Sequence, residues 1–296
     1  RCGVKRPQRR NDGQRGSFLG PAFSAAEVHA FLDREKLPYR VVADIDARAA
    51  VVASALAAGD VVGHFSGRME YGPRALGGRS ILADPRRCDM QANLNLRIKF
   101  RESFRPFAPA VLAERCADYF ELEVESPYML LVASVALGRR LVVDGLGDDG
   151  DLVAAVNQAR SDIPAVTHLD YSARIQTVGI GDNPSFYAVL KAFEASTGCA
   201  VLINTSFNVR DEPIACTPRD AYRCFMATGM DMLVLEDCIL LKVEQPSDLP
   251  TKDSGDVLSS ADKHIEERLR RFYLEYVVPA GTTIMQRGVR FWDEPD

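Results

Sequence analysis

SFYAVLKAFEASTGCAVLINTSFNVRDEPI, residues 185–214, changes hydrophobic period in mid-stretch. Up to Gly198 the apolar residues recur at helical spacing and the glycine supplies a stop, whereas CAVLINTSF is an unbroken apolar run into a polar turn. A helix that delivers a buried strand predicts an α/β sheet with helices on its faces. The flanking sequence agrees. PRDAYRCFMATG (218–229) reads as a helix and DMLVLEDCILLKV (231–243) as one or two strands. Upstream, SAAEVHAFLDRE (24–35) opens with Ser24 and has Glu27 three residues later, the signature of a capped helix. DARAAVVASALAAGD (46–60) is an alanine-rich helix ending at Gly59, VVGHF (61–65) a short strand, and YMLLVASV (128–135) a second apolar strand. The stretch 138–156 mixes turn signals with short apolar runs and reads as a loop-rich connection.

Composition bounds the class. The 296 residues are 47% hydrophobic and 26% charged, a globular balance, and the formal charge of −5 argues against a surface built wholly for nucleic-acid phosphates. No apolar run approaches the roughly 18 residues that cross a bilayer. Seven scattered cysteines without a CxxC pair read as reduced thiols of a cytoplasmic protein. The histidines His29, His64, His168 and His264 lack HxxxH or HExxH spacing, so no metal site of the chain's own is predicted. Residues 1–19 form a basic lead-in expected to be disordered, 20–246 the folded domain, and 247–296 a linker and a helical extension. Within that extension, residues 259–277 read as one helix with Glu266–Arg270 and Glu267–Arg271 pairs. The chain opens on Arg1 with no apolar signal core and is expected to be a fragment of a longer protein.

Positive charge is concentrated in one segment. Between His64 and Arg105 stand Arg68, Arg74, Arg79, Arg86, Arg87, Arg97, Lys99, Arg101 and Arg105, against Glu70, Asp84, Asp89 and Glu102. These arginines sit among glycines, prolines and aromatics rather than along a charged helix face. Arginine in such loops is suited to bidentate binding of phosphate or carboxylate, and successive amides in glycine-rich turns can form an anion-binding concavity. Arg86 and Arg87 read as exposed turn residues. A second polar cluster, PAVTHLDYSARIQTV (164–178) and Asn204, Thr205, Ser206 and Asn208, lies where a strand ends, and open α/β sheets bind ligands there. Read alone, the latter could equally be a turn that closes a strand.

Four blocks, 67–86, 95–112, 167–178 and 204–221, carry a resemblance to the carboxy-terminal domain of NodU/CmcH-type O-carbamoyltransferases, covering about Gly20 to Gln245. Within them Lys99-Phe-Arg101 and Ser206-Phe-Asn208 resemble the KxR…SxN signature of YrdC-like domains. The resemblance implies a YrdC-like twisted mixed sheet flanked by helices, with a C-terminal helical extension. It implies a transferase that uses ATP with Mg²⁺ and carbamoyl phosphate to form carbamoyl-adenylate for a hydroxyl acceptor. Matched by motif position, Arg74, Lys99 and Arg105 are the expected catalytic residues and, with Arg174 and Arg68, bind carbamoyl phosphate. Arg101, Ser206, Asn208, Asn204 and Arg79 are the expected nucleotide contacts. Iron is expected only in an N-terminal transfer domain, acting in cis or in trans. The family usually has glycine at the positions of Tyr171 and Asp211 and asparagine at that of Gly78. Two readings stand beside this one: an RNA-binding YrdC-like module, and an inactive remnant that scaffolds a partner.

Overall fold

Helix termini in this protein are set by side-chain caps and glycine stops. In the computed structural model, which describes residues 14–101, 105–142, 158–210 and 212–246, helix α1 (Ala25–Arg34) starts in a capping box between Ser24 and Glu27. Helix α2 (Ile45–Ala58) is capped by Asp44 and ends on Gly59 at φ 98°. The 185–198 prediction is realised as α5 (Pro184–Thr197), capped by Asn183 and stopped by Gly198 at φ 75°. Helix α6 (Pro218–Ala227) opens in a second capping box, Thr217 with Asp220. Two shorter helices, α3 (Met90–Arg97) and α4 (Cys116–Tyr119), complete the set among the described residues. The expected helix at 259–277 with its two ion pairs, the linker before it, residues 1–13 and Asp211 lie outside the described residues.

Nine strands form one mixed sheet: β1 (Arg40–Val41), β2 (Val62–Phe65), β3 (Arg79–Ala83), β4 (Ala108–Leu112), β5 (Leu131–Ser134), β6 (Ser172–Val178), β7 (Val201–Ser206), β8 (Met232–Leu235) and β9 (Cys238–Leu241). Their order is β1-β9-β8-β2-β3-β7-β4-β6-β5, parallel between β2 and β8 and between β4 and β6, antiparallel elsewhere. The expected α/β class, a mixed sheet flanked by helices, is what is found. Helices cover both faces, as side-chain alternation shows. The His64 ring lies 6.2 Å from Phe186 of α5, whereas the next residue, Phe65, turns the other way and meets Phe23, just before α1, at 5.9 Å. Helices α2 and α5 pack on one another, as do α1 and α6. Val28, Leu32, Leu56, Leu190, Phe193 and Phe225 are 0% exposed in the resulting core. No helix among the described residues is long and apolar enough to cross a membrane.

The register decides where the loops go. Ser80 of β3 lies opposite Ser206 of β7, Asn204 opposite Ala108 of β4, and Ala110 opposite Gln176 of β6. The carboxyl ends of β2 and β7 and the amino ends of β3, β4 and β6 therefore meet at one end of the sheet. The loops 66–78, 98–107, 163–171 and 207–217 all leave from that end, and they contain most of the sequence's polar motifs. The end of the lead-in joins them: Gln14 to Leu19 includes a short 3₁₀ turn (Arg15–Ser17), and the Tyr71 amide donates to the Ser17 carbonyl at 2.7 Å. Structure thus begins before Gly20, earlier than the lead-in boundary expected from composition.

Candidate anion-binding site

Loop 66–78 is organised from inside by the Glu70 carboxylate, while the Gly67 amide at its start donates to Glu236 Oε1 at 2.9 Å. Glu70, 4% exposed, accepts through Oε1 from the amides of Leu76 (2.7 Å), Gly78 (2.7 Å) and Arg79 (3.1 Å). The amide concavity foreseen in this glycine-rich turn is real, but the protein's own anion fills it, which corrects the expectation of an external ligand there. A line of buried polar side chains ties the same loop to the sheet. His64 Nδ1 lies 2.7 Å from the Gly77 carbonyl, and Ser80 Oγ accepts from the Gly77 amide at 2.9 Å. Asn204 Nδ2 donates to the Ala75 carbonyl (3.0 Å) and to Gln176 Oε1 (2.6 Å), and Gln176 Nε2 donates to the Leu76 carbonyl (2.9 Å). Burial keeps His64 neutral by pushing its pKa down to about 4, so it acts as a fixed strut.

This frame brings Arg74 within electrostatic range of Arg174. Arg174 shares its face of β6 with Gln176, two residues on. The two guanidinia are close enough that Arg74, after burial, is the second cause holding Arg174 below the usual arginine range. The Nε of each is buried with no hydrogen-bond partner, and among the described residues neither forms an ion pair. Two like charges held together in a partly dry site without a counter-charge raise the energy of the empty protein and favour an incoming anion. Arg74 lines an open cavity of about 540 Å³ with Tyr71, Gly72, Pro73, Tyr128 and Leu130. His168, whose pKa is lowered by burial and by Arg174 against the pull of Asp170, lines a second, of about 450 Å³, with Gln91, Pro106, Arg160 and Asp170.

Lys99, Ser206 and Asn208 converge directly. The Lys99 ammonium, 5% exposed, donates to the Ser206 carbonyl (2.5 Å), the Asn208 carbonyl (2.8 Å) and Asn208 Oδ1 (3.0 Å), with Ser206 Oγ at 3.3 Å. Ser206 Oγ in turn donates to Asn208 Oδ1 at 2.6 Å. Burial, with help from the Arg101 charge, brings the Lys99 pKa down to about 7. Phe100 between them sits at φ 46°, a left-handed conformation that a bulky residue rarely adopts. Arg101 Nε donates to Asn95 Oδ1 at 2.6 Å, and its guanidinium lies 4.9 Å from the Phe107 ring centre. Arg105 is exposed, and its carbonyl accepts from Asn95 Nδ2 at 2.8 Å, which anchors the 98–107 loop to α3.

Two nominated arginines are not brought to this group. Arg79, 0% exposed, points to the opposite face of the sheet from Ser80: its guanidinium lies 3.4 Å from the Phe65 ring centre and donates to the carbonyls of Gly78 (2.8 Å) and Gly67 (3.1 Å). Burial lowers its pKa to about 10. The reason is alternation, because β3 begins at Arg79 itself. Arg68 is exposed, donates to the Leu19 carbonyl at 3.2 Å, and lines a separate cavity of about 880 Å³ with Arg48, Asn183, Ser185 and Glu236. Glu70 and Gln176, which the sequence reading did not nominate, prove to be the loop's organisers. Glu70 is the lone acid of the 67–79 stretch, and that was the available signal. Tyr171 adopts φ 63°, so the turn before β6 takes the left-handed geometry expected of a glycine position. At Gly78 an added Cβ would come within 2.7 Å of the Arg68 carbonyl oxygen, so a larger residue does not fit here without movement.

The family model described as "Carbamoyltransferase C-terminus" matches residues 53–242. An uncharacterized protein of Synechocystis, sll1178, is 54% identical over 244 residues, 82% of this chain and 40% of its own length. Nodulation protein NolO of Bradyrhizobium diazoefficiens is 38% identical over 191 residues, 63% of this chain and 31% of its own. The 3'-hydroxymethylcephem-O-carbamoyltransferase of Amycolatopsis lactamdurans is 36% identical over 186 residues, again 63% and 31%. Among solved structures, full-length HypF in the phosphate- and nucleotide-bound form superposes with a TM-score of 0.42 at 18% identity, over 67% of this chain and 22% of that one. The chain thus spans well under half the length of these relatives.

Proposed function

This chain belongs to the carbamoyltransferase C-terminal family, and from that premise we propose that it activates a carbamoyl group by joining it to adenylate. Carbamoyl phosphate takes up water, its C–O bond to phosphate breaks, and carbamate and phosphate result. A carbamate oxygen then attacks the α-phosphorus of ATP, the α–β bridging P–O bond breaks, and pyrophosphate leaves with carbamoyl-adenylate formed. The observation that carries this reading is the Arg74–Arg174 pair, two partly buried guanidinia without a counter-ion among the described residues. Such a pair suits the phosphate of carbamoyl phosphate and the negative charge that grows during attack.

Lys99 and Arg105 complete the cationic wall in this scheme. Lys99 is preorganised by Ser206 and Asn208, and an arriving phosphate would raise its pKa and fix it as an ammonium. Arg101, Ser206 and Asn208 take the nucleotide, while Asn204 and Arg79 serve by shaping the loop and Arg68 stands at its outer side. Mg²⁺ fits as a companion of ATP: the donors gathered here are cationic or amide groups, so the ion would be held by phosphate oxygens and water. Transfer to a hydroxyl acceptor falls to a further domain in cis or in trans, which would carry the family's iron. A chemistry fed by ATP supports a cytoplasmic setting in this reading.

The test is carbamoyl-phosphate-dependent exchange of labelled pyrophosphate into ATP by the 296-residue chain with Mg²⁺. Exchange is expected in the parent and should fall at least tenfold in Arg174→Met. Absence of exchange at saturating carbamoyl phosphate overturns the reading.

A further inference from the structure

A different group of side chains gathers at the β8–β9 turn, separated by β2 and β3 from the Lys99–Ser206 cluster on β7. His29 lies on α1, about one turn from its start; Asp237 and Cys238 follow Glu236, whose φ of 52° makes the turn tight enough to set its neighbours side by side. His29 Nε2 is 3.0 Å from Asp237 Oδ1, and Cys238 Sγ is 3.5 Å from the same oxygen. All three donor atoms lie within 4.8 Å of one another. In a tetrahedral zinc site with metal–ligand bonds of about 2.0–2.3 Å, neighbouring N, O and S ligands stand roughly 3.3–3.6 Å apart. The Cys238–Asp237 separation falls in that range and the His29–Asp237 separation lies about 0.3 Å short of it, so small side-chain movements would admit an ion among the three groups.

From this geometry we infer that His29, Asp237 and Cys238 form a site for zinc or a similar divalent ion, closed by water or by Asp33 and fastening α1 to the β8–β9 hairpin. A His–Asp ion pair alone would account for two of the three groups. The Cys238 thiol donates to the same carboxylate oxygen at 3.5 Å, so imidazole, carboxylate and thiol converge on one point. Asp33 is one turn beyond His29 on the same face of α1, and Tyr39 Oη donates to its Oδ1 at 2.9 Å, so its second oxygen is free to turn inward. Imidazole, carboxylate and thiol together are a borderline-soft donor set, which favours zinc over magnesium or calcium. The side chains of His29 and Asp237 are 32% and 18% exposed, which gives an ion a way in, while Cys238 closes the inner side. Asp33 and Asp237 outweigh the nearest cation, Arg48, which is engaged with the carbonyls of Val42 and Ala43. On binding, the S–H bond breaks, the proton passes to solvent, and the thiolate bonds the metal.

The inference stands apart from the carbamoyl chemistry and is tested on the whole 296-residue chain, stripped with a chelator and titrated with Co²⁺ and then Zn²⁺. One Co²⁺ per chain should bind with tetrahedral visible bands and a thiolate-to-cobalt charge-transfer band, and Zn²⁺ should displace it. Cys238→Ser should abolish the charge-transfer band. His29→Gln, at a half-exposed position that leaves the fold intact, should weaken zinc affinity by tenfold or more. A parent without the tetrahedral spectrum overturns the proposal. So does a charge-transfer band that survives Cys238→Ser, because it would assign the metal to other thiols.

Discussion

Lys99 is a lysine whose charge is conditional. With a pKa of about 7, set first by burial, it is roughly half protonated at neutral pH, whereas the unfolded chain holds it protonated to well above pH 9. An anion bound beside it raises that pKa, so the sign of the pH dependence is fixed. Affinity should be greatest below pH 7 and fall as pH rises through 7 toward the pKa of the bound state, by up to about tenfold per unit. Sulfate is the useful probe, since its own charge is constant over that range. In Lys99→Met the profile should be flat; a parent whose sulfate affinity ignores pH between 6 and 9 would contradict this. The same residue shows what sequence could and could not supply. The resemblance joined Lys99 to Ser206 and Asn208, and the structure places them in direct hydrogen bonds. Nothing in the sequence distinguished Arg79 from Arg74, because which arginine faces the site depends on the residue at which β3 starts.

Among the elements, loop 66–78 matters most, because its shape depends on how closely its backbone approaches α5. Gly77 sits at φ 111°, and a Cβ there would lie 2.3 Å from Phe186 Cδ1. Gly67 sits at φ 64° with nothing within 4 Å of such a Cβ. The pair separates strain from collision. Gly67→Ala should cost about 1 kcal/mol from the left-handed backbone alone, and Gly77→Ala roughly 2–4 kcal/mol from strain plus overpacking. Urea midpoints at unchanged m would measure both, and equal losses would show that Phe186 is not the constraint. Elements with strong local signals were legible: α1 through Ser24 and Glu27, α2 and α5 through their terminal glycines, β7, α6 and the β8–β9 hairpin. Strands β3 and β6 were not, because polar residues at their starts mask the alternation, and β4 was not, because Pro109 argues against a central strand. Helix α3 was missed for a related reason. Asn93, Asn95 and Arg97 interrupt its apolar face, and Asn95, 0% exposed, anchors the next loop through the Arg105 carbonyl.

At the scale of the molecule, an acidic protein of net charge −5 places Arg74, Arg174, Lys99 and Arg105 at one end of a sheet. Like charges kept close oppose folding, so the site is stabilised by its ligand rather than by itself. Replacing Arg174 with methionine, which keeps length and apolar stem but removes the charge, relieves the repulsion on Arg74. The variant's Tm in dilute, anion-free buffer should therefore equal or exceed the parent's. Pyrophosphate should stabilise the parent by mass action, approaching about 2.7 kcal/mol at a hundred times its dissociation constant. That shift should shrink severalfold in Arg174→Met and fade in the parent as salt screens the exposed part of the site. A variant less stable than the parent without ligand would mean that Arg174 is a structural residue whose partner is internal. A ligand-induced shift of full size in the variant would mean that the anion binds elsewhere. Only the combination of unchanged or higher intrinsic stability with a lost response identifies charges placed for a ligand, because structural arginines such as Arg79, bonded to carbonyls and stacked on Phe65, can only lose stability when removed.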